Sequence, residues 1–109
     1  MKTDLKTLKQ YQITYCDYNG DIKRKVVNGY RVIYEELPDI EFFVYCMKAN
    51  IWGLGNWRVS EAKTGTYFTS EQDGETRNEA IKLAHEFLLN KGIDTFRAKY
   101  KEALINLKV

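Results

Sequence analysis

Up to about residue 70, β-branched and aromatic residues recur at period two. After Gly74 the apolar positions follow the 3.6-residue period of a helix. The change of period predicts an α+β domain, with a sheet over about 9–70 and helices over about 77–91 and 95–107. Residues 9–18 put Tyr11, Ile13 and Tyr15 on one face and Gln10, Gln12 and Thr14 on the other, as a half-buried strand does. Asn19-Gly20 tolerates the positive φ angles of a type I′ turn, so a hairpin is expected there. The returning strand, 22–34, puts Val26, Tyr30, Val32 and Tyr34 on one face, and Gly29 in its middle points to a bulge or a close backbone contact.

Residues 41–48 (EFFVYCMK) are apolar on both faces, the pattern of a central strand that needs cover on two sides. A fourth strand, about 56–63, leads through the Lys63-Thr64-Gly65 turn into a fifth, Thr66 to Thr69. Thr76-Arg77-Asn78-Glu79 has the form of a capping box. The helix it starts carries Ala80, Ile81, Leu83, Ala84, Phe87 and Leu88 on one face and ends at Gly92. Asp94 can cap a second helix, whose narrow apolar stripe is Phe96, Tyr100, Ala103, Leu104 and Leu107. The expected architecture is an antiparallel sheet of four to five strands with both C-terminal helices on one face. The two helices can shelter only one side of residues 42–47, so the other side is expected to stay partly uncovered. Leu89, Ile105 and Val109 fall off the stripes, where a partner could meet them.

Length and charge narrow the classes. A chain of 109 residues is one domain, long enough for a core without disulfide or metal staples. With 17 Lys and Arg against 15 Asp and Glu, the net charge of +2 is well short of a strongly basic nucleic-acid or membrane binder. No apolar run approaches the roughly 18 residues of a spanning helix, and residues 1–10 lack the apolar core of a signal peptide. A cytoplasmic, non-membrane protein is expected. Cys16 and Cys46 lie in no metal or redox motif and are expected to be reduced, mostly buried thiols.

Four groups of residues could carry chemistry. Trp52, Leu54 and Trp57, in the glycine-loosened run 50–57, could anchor a protein partner together with Phe43, Tyr45 and Met47 of the doubly apolar strand. The tryptophans could equally cap one end of the core. Gly53-Leu54-Gly55 runs into a strand rather than a helix and so makes no dinucleotide site. Lys23, Arg24, Lys25 and Arg31 beside Tyr11, Tyr15 and Tyr30 combine phosphate-neutralising charge with stacking surfaces, as single-stranded nucleic-acid binders do. A lysine-bearing edge that prevents aggregation has the same composition. Arg97, Lys101 and Lys108 add a basic flank on the last helix. Glu35, Glu36, Asp39 and Glu41 around Pro38 match no metal-loop spacing and suit a solvated turn or a basic partner. His85, the only histidine, sits at the flank of an apolar helix face with no nucleophile motif nearby. No catalytic signature and no metal or cofactor motif occurs, so a non-enzymatic role is expected.

Trp57-Arg58-Val59-Ser60-Glu61, then Thr64-Gly65, then Gly74-Glu75-Thr76 with Glu79-Ala80-Ile81 and Ala84, resembles a strand, strand, helix pattern in small bacteriophage and mobile-element proteins. The pattern is also similar in outline to the last strands and helix of double-stranded RNA-binding domains and to HicB-type antitoxins. The phage resemblance implies an accessory or inhibitor protein acting on a host enzyme or defence complex. A non-enzymatic protein binder, partnered by such a component or by itself as a homodimer, is therefore the leading expectation. The alternative is single-stranded nucleic-acid binding through the basic, tyrosine-rich hairpin. A small-ligand pocket between sheet and helices is a third possibility, and it requires a cavity.

Overall fold

The computed structural model describes residues 2–47, 56–66 and 73–107. Its strands β1 (Lys2–Cys16), β2 (Ile22–Ile33), β3 (Phe42–Met47) and β4 (Asn56–Glu61) form one antiparallel sheet in chain order. Helices α1 (Arg77–Lys91) and α2 (Ile93–Leu107) follow. This is the α+β order that the two periodicities predict. The expected fifth strand lies mostly outside the described residues.

β1 begins earlier than its alternation suggests. Pairing with β2 jumps from Asp4 opposite Arg31 to Lys9 opposite Gly29, so Leu5 to Leu8 face Tyr30 alone. The Asp4 carboxylate accepts the amides of Lys6 and Thr7, each at 3.2 Å, and holds this bulge. A bulge breaks period two, which hides the strand in the sequence. At the hairpin tip only Gly20 has a positive φ, +81°, so the turn is not type I′. The Asp17 carboxylate accepts the amides of Asn19 (3.0 Å) and Asp21 (2.9 Å) and closes a longer loop instead.

One core lies between the sheet and the helices. Val32, Tyr34, Phe42, Val44 and Val59 meet Ala80, Ile81, Ala84 and Leu88, with Leu37 and Ile40 of the bend before β3 closing one end. The small Ala80 and Ala84 let α1 approach the strands closely. Tyr34 is fully buried and donates its hydroxyl to the Ile81 carbonyl at 3.0 Å. Burial also raises its phenol well above the ordinary range. Thr76 caps α1 by accepting the Glu79 amide at 3.1 Å. Gly92 ends α1, its amide bonding Leu88, while its carbonyl accepts from Phe96 to start α2. One residue thus serves both helix ends, and Asp94 falls inside the first turn of α2 rather than capping it.

A second core lies on the opposite face and overturns the expected vacancy there. Phe43 and Tyr45 are buried under Tyr11 and Ile13 of β1, with Val27, Met47 and Ala62 around them. The bulge accentuates the right-handed coil of the sheet, so the distal part of the β1–β2 hairpin swings over β3. Its edge reaches the turn after β4. The Thr14 amide donates to Gly65 O at 2.9 Å and its hydroxyl to Thr64 O at 2.7 Å, while Arg24 donates to Lys63 O at 3.3 Å. Gly29 makes the expected close approach: a Cβ there would stand 3.0 Å from the Val44 carbonyl oxygen.

The turn is itself tied down by a buried carboxylate. Glu61 accepts the amides of Lys63 (2.7 Å) and Thr64 (2.8 Å) and the Tyr100 hydroxyl (3.2 Å). Burial and this carboxylate push the Tyr100 phenol up to about 12. It stays a neutral donor.

Candidate functional site

The residues expected to bind a partner separate. Phe43 is fully buried, stacked on the Tyr11 ring at 4.2 Å and within 5.6 Å of Tyr45, itself only 4% exposed. Both belong to the second core, because β1 supplies the cover that the helices cannot. Met47 is half-buried at its margin. Trp57 is half-buried against the first core, where its backbone pairs with Gly74. Trp52 and Leu54 lie outside the described residues.

The nucleic-acid set also divides. Tyr11 is buried and donates its hydroxyl to Glu41 at 2.6 Å, and burial followed by this carboxylate raises its phenol far above the ordinary range. Tyr30 is half-buried, with the Arg77 guanidinium 4.8 Å from its ring centre. Tyr11 therefore has no ring face free for a stacked base, and Arg77 lies over the ring of Tyr30. Tyr15, 39% exposed, lies beneath Lys25, whose ammonium is 5.5 Å from the ring centre. Lys23 pairs with Asp17 at 3.0 Å, and Arg24 and Arg31 are exposed.

The acidic bend closes inward rather than waiting for a partner. Glu36 meets His85 Nε2 at 2.8 Å, and the imidazole stacks on Tyr34. Arg97 grips Asp39 with two hydrogen bonds of 2.9 and 2.8 Å, and Glu41 takes Tyr11 and Lys9. The bend therefore fastens the start of β3 to both helices and to β1. Arg97 holds the Asp39 carboxyl down at about 2, below its ordinary 3.8. A depressed carboxyl stabilises the fold above its unfolded value, and the contribution disappears as pH falls from 3.8 towards 2. Both partners are largely exposed, so solvent keeps the effect small. Denaturant midpoints measured through this window should fall more steeply in the wild type than in Arg97→Gln. Parallel profiles would refute the assignment.

What remains for contact is chiefly the outer face of the distal hairpin, beyond the part of the sheet that the helices cover. Tyr18 at the tip is fully exposed, and Ile22 and Val26 are 76% and 57% exposed. Ile22 pairs with the exposed Cys16 and Val26 with Gln12. Ile22 and Val26 flank Arg24 on the sheet face that, further along β2, carries Val32 into the helix-side core. Alternation groups Val26 on one face with Tyr30, Val32 and Tyr34, and it gives no sign of Tyr18 or Ile22. The missed signal is length. A 12-residue strand runs to about 40 Å, whereas a 15-residue helix covers about 22 Å. Leu89 and Ile105 are also exposed, as the helical wheels predict, while Lys108 and Val109 lie outside the described residues. Cys16 and Cys46 are both exposed rather than buried.

Among the described residues no group of His, Cys, Asp and Glu could hold a metal ion, and no helix is long and apolar enough to cross a membrane. Fold and surface together define an α+β domain with an amphipathic distal hairpin. No family model, curated protein or solved structure matches the chain.

Proposed function

We propose that the protein is a non-enzymatic binding module acting by protein–protein contact, in the manner of the phage accessory or inhibitor proteins that part of its sequence resembles. Its partner is a host or defence protein or a second copy of itself. The observation that carries this reading is the outer face of the distal hairpin, where Ile22 and Val26 stand in solvent on either side of Arg24 and Tyr18 stands in solvent at the tip. Single exposed apolar residues are ordinary. Several on one short segment, next to a guanidinium, are the composition of an interface centre. The buried Phe43 and Tyr45 play no part in it.

A second reading, single-stranded nucleic-acid binding, draws on the Lys25–Tyr15 pair with Lys23 and Arg24 alongside. The triple variant Tyr18→Ser, Ile22→Ser, Val26→Ser separates the two. All three side chains are exposed, so each change should alter stability by no more than about 0.5 kcal/mol. Tagged wild type should retain a protein from lysate after nuclease and in high salt, or show a dimer by light scattering, and the variant should lose that association. Capture that vanishes with nuclease and weakens steeply with salt would favour the second reading, because phosphate contacts release counterions. Association unchanged in the variant would refute the hairpin as the surface.

A further inference from the structure

A cleft of about 300 Å³ opens between the turn after β4, the last turns of α1 and the middle of α2. Its walls are largely apolar: Leu88 is buried, Phe96 and Tyr100 stack with centroids 5.9 Å apart, and Phe87 and Ala103 complete the sides. The cleft exists because α2 is incompletely packed. None of its described side chains is fully buried, and its stripe places the small Ala103 where a larger residue would close the gap. Polar groups sit at defined places around this apolar body. The Thr64 and Thr66 hydroxyls lie 2.8 Å apart at one end, and Lys91 and Lys99 stand at the rim.

We infer that this cleft binds a small amphipathic anion, with its hydrocarbon body among Leu88, Phe96 and Ala103 and its carboxylate or similar headgroup at Lys91 and Lys99. Charge decides the sign of the ligand. Among the described residues of the lining Glu61 is the one acidic group, and it already accepts hydrogen bonds from two backbone amides and the Tyr100 hydroxyl. A ligand cation drawn to it would have to compete with these donors. The two lysines are exposed, and an anion entering from solvent meets them first. Size follows from the volume: at about 30 Å³ per water-sized group, the cleft admits roughly ten heavy atoms. That lies at the small end of ligand pockets, with their usual mixture of apolar walls and a few polar groups. The site is separate from the outer face of the distal hairpin, and each proposal stands without the other.

Calorimetric titration of the full chain with octanoate, octanol and octylammonium tests it, as these probes share a tail and differ in headgroup charge. Octanoate should bind best and octylammonium worst. Lys91→Gln with Lys99→Gln should weaken octanoate roughly tenfold while leaving octanol unchanged, the mark of lost charge-assisted contacts. Ala103→Leu should weaken octanoate and octanol alike, by filling the space their tails need. No measurable octanoate binding below its micellar range, equal binding of octylammonium, or octanoate affinity unchanged in either variant would overturn the proposal. If circular dichroism shows that Ala103→Leu does not fold, the lysine variant, altered only at exposed positions, decides alone.

Discussion

Replacing Phe43 by alanine is expected to destabilise the fold by about 3–5 kcal/mol, the range for deleting a fully buried phenylalanine. Small domains have about 5–15 kcal/mol in total, so the variant should be partly unfolded or close to it. Three features make the site costly. The ring has no exposed surface, lies flat on Tyr11 with planes only 3° apart, and touches Tyr45. Among the described residues the second core has only four buried members, Tyr11, Ile13, Phe43 and Tyr45, so few side chains can relax into the gap. Ile22→Ala is the contrast, because Ile22 is three-quarters exposed and should change stability by about 0.5 kcal/mol at most. Urea midpoints for both variants check the pair. A Phe43→Ala loss below about 1 kcal/mol would mean that β1 does not cover β3 in solution, and the partner-binding role expected of Phe43 would return.

Different physical signals made different parts of this molecule legible. Local periodicity identified β2, β3, β4 and both helices, since each has a core face whose period is set by its own backbone. Thr76 announced the start of α1 for the same reason: a cap is a contact between residues three apart. The two-sided apolarity of Phe42 to Met47 was a correct signal with a wrong inference attached. It required two covers, and nothing in the local pattern says that the second comes from a strand more than thirty residues earlier. That cover depends on the bulge at Leu5 to Leu8 and on the sheet coil, and both involve pairing register rather than composition. The candidate site failed for the same cause. Tyr11, Tyr15 and Tyr30 alternate with polar residues in similar ways, yet the first is buried, the second is exposed and the third lies beneath Arg77. Alternation separates two faces of a strand but not the neighbours each face will find. Strand length, compared with helix length, would have marked Ile22 and Tyr18 as beyond the shelter of α1 and α2.

The other large effect is expected at Gly65. Alanine there should cost about 3–4 kcal/mol, whereas alanine at Gly20 should cost only about 1–2, although both glycines have the positive φ that an L side chain resists. Gly65 has φ +69° and Gly20 +81°, so the conformational penalty is nearly common to the two. Their surroundings differ. A Cβ on Gly20 would meet nothing within 4 Å, while one on Gly65 would stand 2.6 Å from the Gln12 carbonyl oxygen and 3.0 Å from the Thr14 amide nitrogen. Those are backbone atoms of β1 and cannot step aside singly. The hairpin would have to retreat, breaking the Thr14 amide bond to Gly65 and the Thr14 hydroxyl bond to Thr64, each worth about 1 kcal/mol. Retreat would also admit water to Phe43 and Tyr45, so the variant should exchange the Thr14 amide faster and flatten the stacked Tyr11 contribution to the near-ultraviolet dichroism. Equal losses at Gly20 and Gly65, with Thr14 protection unchanged, would show that the hairpin and the turn are neighbours without being joined. The second core would then owe its burial to the coil of the sheet alone.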